Sequence, residues 1–269
     1  MHFQCFRRLP DIESRPLSDR EFEGRRVVVT GAGSGIGLSA ARLLVKRGAS
    51  VLGVARSDAG LDAIRGTGAE AFRADVTVAA ERAALLNAAE RDGPVDGLAI
   101  SHGQTQGQRI ADVTDSDWVR LLDANLKSVF FLLQTFCPRI PDAGSVVTLT
   151  SAAGKTGAIP EVTVYAAAKA GVMSLTRSFG LANAARGMRV NAVLPGIIDT
   201  PMQDTFLALN APLGGITPEQ LNADRLAATP MKRAGTPDEA AEVILFLLSP
   251  RSSYLTGQVL NVAGGFVTW

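Results

Sequence analysis

The sequence predicts an α/β fold: a doubly wound parallel sheet of about seven strands, with helices on both faces, in a single domain. After Gly24, short apolar runs rich in β-branched residues alternate with stretches of helical periodicity. This alternation needs a helical crossover between successive strands, and right-handed crossovers give a parallel sheet covered on both faces. The chain of 269 residues, 46% hydrophobic and 20% charged, can bury a large core in one domain.

The elements can be placed in order along the chain. The predicted strands lie in RRVVVTG, SVLGVAR, AEAFRAD, VDGLAISHG, SVVTLTS, RVNAVLPG and QVLNVAGG. Helical periodicity is clearest in SAARLLVKRG, after the first strand, and in AAEVILFLLS, before the last. Residues 24–269 are therefore expected to form the domain. Residues 1–23 contain several charges and no long apolar stretch, so we expect a flexible extension rather than a signal peptide.

Composition argues against several classes of partner. The net charge of +1 comes from 27 basic and 26 acidic residues, so we expect no basic surface for nucleic acid or an anionic membrane. No apolar run approaches the roughly 18 residues that cross a bilayer. Cys5 and Cys137 are far apart and offer neither a metal-ligand cluster nor a disulfide framework. The sequence predicts a cytoplasmic protein without a bound metal.

A glycine-rich turn follows the first strand. It reads TGAGSGIG and places Gly31, Ser34, Gly35, Ile36 and Gly37 between that strand and a helix. Glycines permit a tight turn and a close approach to a pyrophosphate, and the helix N-terminus offers free amides to the phosphates. The Gly-x3-Gly-x-Gly spacing is not GxGxxG, but its position between a strand and a helix predicts dinucleotide binding.

Arg56 follows the second strand, where a site for NAD(H) has an acid that accepts from the ribose hydroxyl. A guanidinium at this point can bind a 2′-phosphate, so NADP(H) is the favoured cofactor. Asp58 is a less well-placed acid, and its presence leaves NAD(H) as the alternative cofactor. The other interpretation of Arg56 is an ordinary surface arginine.

The next two strands end in further cofactor candidates. Asp75, followed by Val76, ends the third strand and can accept from the adenine amino group, or cap the segment after it. Ser101, His102 and Gly103 end the fourth strand at the edge where ligands bind in such sheets. We interpret His102 as lining the cofactor pocket rather than as a catalyst.

Two other stretches carry candidates. Pro195 and Gly196 end the sixth strand, and Ile198 and Thr200 after it can meet the nicotinamide carboxamide. Asn125 lies inside a helical stretch although asparagine is a poor helix former, so its side chain is expected to bond the backbone or water.

The stretch from Ser151 to Lys169 carries residues for acid–base chemistry. If a helix begins at Tyr165, Lys169 lies four residues later on the same face, and the phenol and the ammonium become neighbours. A cation beside the phenol lowers a pKa that is ordinarily about 10. Ser151 supplies a second hydroxyl to polarise a carbonyl oxygen. Taken alone, a tyrosine and a lysine four residues apart on a helix are more often exposed surface residues without a catalytic role.

Residues 201–230 are predicted to be irregular, a mobile lid over a substrate pocket, with a helical insertion as the alternative. Between Gln203 and Arg233 the chain has few charges and many apolar residues. We therefore expect an apolar or mid-sized substrate to contact Phe206, Leu207, Leu209, Leu213 and Ile216.

Taken together, these motifs resemble the short-chain dehydrogenase/reductase family from about residue 24 to 265. The resemblance implies a Rossmann fold and a catalytic tetrad of Asn125, Ser151, Tyr165 and Lys169. Tyr165 is then the acid/base, Ser151 orients the carbonyl, and Lys169 lowers the tyrosine pKa and binds the nicotinamide ribose. Asn125 would position a water that links Lys169 to solvent.

The same resemblance assigns the other candidates to cofactor binding, together with Tyr165 and Lys169. They are Gly31, Ser34, Gly35, Ile36, Gly37, Arg56, Asp75, Val76, Ser101, His102, Gly103, Pro195, Gly196, Ile198 and Thr200. The chain departs from the family pattern after the fourth strand, where NNAG is replaced by Ile100 to Gly103, and in the spacing from Ser151 to Tyr165, which is fourteen rather than thirteen.

The expected activity is reversible hydride transfer between a nicotinamide and a carbonyl or secondary alcohol of a small molecule. A catalytically silent dinucleotide sensor and an epimerase that uses its cofactor transiently are the alternatives. The resemblance also implies a homo-oligomer, a tetramer or a dimer. Two long helices, around residues 119–136 and 166–184, carry enough apolar surface for its interface.

Overall fold

The computed structural model describes residues 20–157 and 159–269. The predicted extension, residues 1–23, lies outside this part except for its last four residues. Among these, Phe22 is 1% exposed and packs in the core, and its amide donates to the carbonyl of Arg47. Packing of the described chain therefore begins before Gly24.

Seven strands form one parallel sheet, as predicted. They are β1 (Arg26–Thr30), β2 (Ser50–Ala55), β3 (Glu70–Arg73), β4 (Gly97–Ile100), β5 (Ser145–Leu149), β6 (Arg189–Pro195) and β7 (Val259–Val262). Their order across the sheet is β3-β2-β1-β4-β5-β6-β7, and every adjacent pair is parallel. The chain order reverses between β1 and β4. In such sheets, ligands bind beyond the carboxyl ends of the strands at this reversal.

Helices cover both faces of the sheet. Those in the described residues are α1 (Gly35–Lys46), α2 (Asp58–Gly66), α3 (Ala79–Ala89), α4 (Asp115–Leu122), α5 (Ser128–Phe136), α6 (Ala152–Thr156), α7 (Thr163–Asn183), α8 (Pro201–Asn210), α9 (Pro218–Ala228) and α10 (Pro237–Leu248). A π-helical turn, Asp123–Lys127, joins α4 to α5. Both long helices predicted from the sequence are therefore present, and the first contains this turn.

The core has two layers, one on each side of the sheet. Along β1, Val27 and Val29 pack with residues of α1 and α10, whereas Val28 between them packs with residues of α5 and α7. This alternation follows from the two-residue period of a strand. Burial on both faces explains why the strand sequences read as continuous apolar runs.

Residues 201–230 differ from the prediction of an irregular lid. They form α8 and α9, joined by a short 3-10 turn at Pro212–Gly214, so the helical alternative is correct. The cause is visible in the sequence: each helix begins with proline at its first position, and Thr217 caps α9 in a capping box with Gln220.

Two expectations from composition concern the described residues. Cys137 is 3% exposed and packs among apolar side chains, while Cys5 lies outside the described part of the chain. None of the helices in residues 20–157 and 159–269 is both long and apolar enough to cross a membrane.

Candidate active site

A cavity of about 1020 Å³ opens at the carboxyl ends of the strands. Its volume is at the upper end of the roughly 300–1,000 Å³ of ligand pockets, so it has room for a dinucleotide and a second molecule. All of the predicted cofactor-binding residues line it, and so do Ser151, Tyr165 and Lys169. The fold thus brings the predicted site residues to one cavity, with Asn125 as the exception.

The glycine-rich turn forms a cradle that side chains would fill. Gly31 and Gly35 have positive φ angles of 66° and 51°. A Cβ at Gly37 would lie 2.3 Å from the carbonyl oxygen of Gly31. Ser34, the N-cap of α1, makes no capping hydrogen bond through its side chain, so the first amides of α1 stay free for a phosphate. These features fit the pyrophosphate of a dinucleotide.

Arg56 lies at the other end of the cavity with Asp75. Its Nη1 is 3.5 Å from a carboxylate oxygen of Asp75, and the Arg56 side chain is 58% exposed. Burial raises the pKa of Asp75, but hydrogen bonds from Thr77 and the charge of Arg56 outweigh it, and the net pKa is lowered. Asp58 is paired with Arg73 and does not line the cavity.

Asp75 serves as an acceptor for the turn before α3. Its Oδ1 accepts from the amide of Thr77 at 2.9 Å and from the Thr77 hydroxyl at 2.7 Å. The N-cap of α3 is Val78, so Asp75 caps the turn that leads into the helix rather than the helix itself. The second carboxylate oxygen faces Arg56.

Tyr165 and Lys169 lie in the first two turns of α7, with Ser151 opposite them at the N-cap of α6. The Lys169 ammonium is 5.8 Å from the centre of the Tyr165 ring and donates to the carbonyl of Leu149 at 3.0 Å. The Ser151 side chain interacts with the Tyr165 hydroxyl, and it accepts from the amide of Ala153 at 3.2 Å. Two hydroxyls and one buried cation therefore meet at the cavity wall.

The expected lowering of the Tyr165 pKa by Lys169 is wrong for these side chains. Burial raises the pKa of Tyr165, and the hydrogen bond with Ser151 offsets only part of the rise. Burial lowers the pKa of Lys169 to about 8. The net direction of the Tyr165 pKa is therefore opposite to the expected one, because the effect of burial outweighs that of the hydrogen bond.

Asn125 is fully buried behind the cavity, in the π-helical turn. Its Nδ2 donates to the carbonyls of Leu121 and Gln104, each at 3.0 Å, and its Oδ1 accepts from the amide of Gln104 at 3.0 Å. The expectation that this side chain bonds the backbone is confirmed. The side chain thus anchors the loop after β4, while the water between Lys169 and solvent stays a prediction.

His102 lines the cavity as predicted, with both ring nitrogens bonded to protein. Nδ1 is 2.8 Å from the hydroxyl of Thr30, and Nε2 is 2.8 Å from the hydroxyl of Ser128. Because Ser128 donates to the carbonyl of Ala124, its oxygen accepts from Nε2–H, and Nδ1 accepts from Thr30. Burial, with the charges of Lys169 and Arg56, lowers the pKa of His102 to about 3. The ring is neutral and joins β1 to α5.

Sequence reasoning missed Gln106, in the loop after β4. Its Oε1 accepts from the amides of Val164 and Tyr165, at 3.1 and 3.2 Å. Val162, the N-cap of α7, has no side chain that can do this, so Gln106 caps the helix from a distant part of the chain. Nothing in the local sequence signals this, because the partners are about sixty residues apart.

The substrate side of the cavity differs from the prediction. Phe206 lines it, together with Gln203 and Arg225, but Leu207, Leu209, Leu213 and Ile216 do not. Leu207 packs against Val162, and Leu209 is 43% exposed. Which side chains of this segment face the cavity depends on how its two helices pack, and this could not be used for a segment predicted to be irregular.

Comparisons with known proteins agree with this geometry. A family model described as "Enoyl-(Acyl carrier protein) reductase" matches residues 31–267. 3-Oxoacyl-(acyl-carrier-protein) reductase FabG of Thermotoga maritima is 35% identical over 260 residues, which cover 91% of this chain and 98% of that protein. This chain belongs to the short-chain dehydrogenase/reductase family.

Other members of the family show its range. Galactitol 2-dehydrogenase of Rhizobium johnstonii is 36% identical over 262 residues, covering 92% of this chain and 96% of that protein. A crystal structure of an actinorhodin polyketide ketoreductase variant with NADPH superposes with a TM-score of 0.85 at 34% identity, covering 91% of this chain and 98% of that one. The present family member is accordingly an NAD(P)-dependent oxidoreductase of carbonyl and alcohol groups on small molecules.

Proposed function

We propose that this enzyme reduces a ketone to a secondary alcohol with NADPH, and that Tyr165 is the proton donor. The observation that carries the proposal is the meeting of Tyr165, Ser151 and Lys169 at the wall of the same cavity that the N-terminus of α1 enters. A phenol whose pKa is raised above its ordinary value stays protonated at neutral pH. This is the form that carbonyl reduction needs.

The protein residues have separate tasks in this reaction. When bound, the nicotinamide supplies the hydride chemistry. Ser151 and Tyr165 hold the carbonyl oxygen between two hydroxyls, and Tyr165 gives its proton to that oxygen as negative charge develops on it. Lys169, buried beneath the Tyr165 ring, provides a fixed positive charge and a donor for the nicotinamide ribose. In alcohol oxidation the proton moves in the opposite direction.

The preference for NADP(H) is supported by the charges at the Arg56 end of the cavity. Arg56 lines the cavity beside the N-cap Ser57, and Arg73 donates to the carbonyl of Arg56 at 2.7 Å. Arg73 also pairs with Asp58, and neither side chain lines the cavity. The guanidinium of Arg56 and the hydroxyl of Ser57 suit the 2′-phosphate of NADP(H).

Replacing Tyr165 with phenylalanine tests the proton donor. We expect ketone reduction by Tyr165→Phe to fall about 10³-fold in kcat, within the range of general acid catalysis, while the Kd for NADPH changes less than about threefold. Tyr254→Phe is the matched control, because Tyr254 is 99% exposed and is the other tyrosine of the chain. The substrate panel contains ketones, secondary alcohols and an enoyl thioester. A Tyr165→Phe enzyme with near-normal activity, or turnover of the enoyl thioester alone, would refute the proposal.

A fluorescence titration with NADPH and NADH tests the cofactor preference. We expect tighter binding of NADPH, and a selective loss of that preference in Arg56→Ala. Arg65→Ala is the control, since Arg65 is 61% exposed and pairs with Asp62 outside the cavity. Equal binding of both cofactors by the wild type would make Arg56 a surface residue and favour NAD(H).

A further inference from the structure

Basic residues outnumber acidic ones among the charged residues that line the cavity. Its charged lining residues are Arg56, Asp75, Lys169 and Arg225. Arg56 and Asp75 form an ion pair, and Lys169 lies at the catalytic wall. Arg225, on α9, has no acidic partner within 4.0 Å among residues 20–157 and 159–269.

The Arg225 side chain is held in place by neutral groups. Its guanidinium carbon lies 4.0 Å from the centre of the Phe206 ring, a stacked arrangement. Its Nη1 donates to Oε1 of Gln203 at 3.0 Å, and Gln203 in turn donates to Asn222 at 3.4 Å. These contacts use one of the five N–H donors of the guanidinium and fix its plane.

Apolar side chains line much of the cavity that holds Arg225. Ile159, Val162, Met202 and Phe266 line the same cavity. Burial lowers the pKa of Arg225 to about 10, so the group is still a cation at neutral pH. A half-buried cation without a counter-charge is unfavourable, and a ligand that brings an anion relieves that cost.

We propose that the substrate carries an oxyanion, a carboxylate, sulfonate or phosphate, and that Arg225 binds it while the ketone faces Tyr165. This inference rests on the ketone reduction proposed above and names its substrate class. The phosphates of the cofactor have other partners in the cavity, the amides of α1 and Arg56, which leaves Arg225 for the second molecule.

Paired substrates test the assignment. The probes are methyl-ketone carboxylates of increasing chain length and their methyl esters, with sulfonate and phosphate analogues of the best length to distinguish the three anions. We expect the wild type to prefer the acid over its ester by about 10- to 100-fold in kcat/KM, the scale of a charge-assisted, bidentate hydrogen-bonded pair. In Arg225→Met the ratio of kcat/KM for acid to that for ester should fall toward 1, mainly through a rise in the KM for the acid. Arg225→Lys should keep part of it.

Controls separate this inference from the proposal beneath it. Arg65→Met is the matched arginine substitution outside the cavity, and thermal unfolding checks that each variant folds. Wild-type enzyme that reduces acids and esters equally, or an Arg225→Met effect that is equal on both or falls on the KM for NADPH, overturns the anion assignment and leaves ketone reduction standing. Wild-type enzyme that reduces no ketone overturns both.

Discussion

At the scale of single residues, the site divides into local and distant contacts. Tyr165 and Lys169 were predictable because four residues along a helix always bring side chains to one face. The glycine turn was predictable because its geometry is set within a few residues. Gln106 and Arg225 were not, because each acts on a segment far away in the sequence. The net direction of the Tyr165 pKa differs from the prediction, since it depends on burial that the sequence does not reveal.

Gln106 offers a test of the distant contacts. Gln106→Ala removes the acceptor for two amides at the start of α7, including that of Tyr165. We expect a loss of about 1–2 kcal/mol in the free energy of unfolding, the cost of a lost N-cap, and a several-fold fall in kcat. Urea unfolding and steady-state kinetics measure the two effects.

Gln108→Ala is the control for Gln106, because the Gln108 side chain bonds Asp112 and Asp117 instead of α7. If both variants lose equal stability and rate, the cap on α7 has no special role.

Lys169 makes stability depend on pH. Its pKa is lowered from 10.5 to about 8 by burial, so between these values the unfolded chain binds more protons than the native one. Stability contributed at this position therefore rises with pH, because the cost of burying the ammonium is relieved as it loses its proton. From pH 7.5 to 9.5 we expect the wild type to gain about 2 kcal/mol relative to Lys169→Met. Urea unfolding of both proteins across this range measures the gain, and parallel pH profiles would contradict it.

At the scale of elements, start signals were more informative than average composition. The segment from 201 to 230 is rich in leucine, alanine and glycine, a composition that predicts irregular structure. Yet Thr-Pro at 200–201 and Thr-Pro-x-Gln at 217–220 are helix start signals of the same kind as Thr236-Pro237 before α10, a helix that was predicted. These start signals therefore outweigh the composition of the segment in deciding its structure.

The end of α10 is stabilised by a buried arginine of β6. Arg189 is 5% exposed and donates to the carbonyls of Leu247 and Ser249, at 2.7 and 3.0 Å. A cation suits the negative end of the helix dipole, and its loss removes several buried, charge-assisted hydrogen bonds to these carbonyls. We expect Arg189→Met to lower the free energy of unfolding by about 3 kcal/mol or more, measured by urea unfolding.

The control for Arg189 is Arg42, which pairs with Asp238 at the other end of α10. That pair is short, at 2.6 Å, but its side chains are 45% and 55% exposed. Arg42→Met should therefore cost no more than about 1 kcal/mol. If the two substitutions lower the free energy of unfolding equally, burial does not decide how much these contacts contribute to stability.

At the scale of the whole molecule, the doubly wound parallel sheet could be predicted from the sequence because crossover handedness leaves few arrangements of repeated strand–helix units. The site then follows from the reversal between β1 and β4. The oligomeric state cannot be predicted in the same way, because it depends on surface residues that make few contacts within the chain. Trp118 and Val119 on α4 and Leu181 on α7 are 49%, 55% and 78% exposed, and the two helices pack against each other.

We expect these helices to form the interface of a homo-oligomer, a dimer or a tetramer. Trp118→Glu combined with Leu181→Glu should reduce the assembled mass, as measured by size-exclusion chromatography with light scattering, because charge is unfavourable in an apolar interface. Tyr254→Glu, at a position 99% exposed outside both helices, should leave the mass unchanged. A wild-type protein that is monomeric at all concentrations would contradict the expectation.

The hydrogen bond between α8 and the loop after β4 affects how the substrate specificity of this enzyme can evolve. Asn210 of α8 donates to the carbonyl of Gln106 at 3.0 Å, and Gln106 holds the amide of Tyr165. Mutations that shift α8 to admit a new substrate therefore also disturb Tyr165, the proton donor. We expect variants selected for a new specificity in this way to have a lower catalytic rate. Changes confined to Gln203, Phe206 and Arg225 avoid this link, so directed evolution libraries restricted to these three positions should yield new specificities with fewer inactive members.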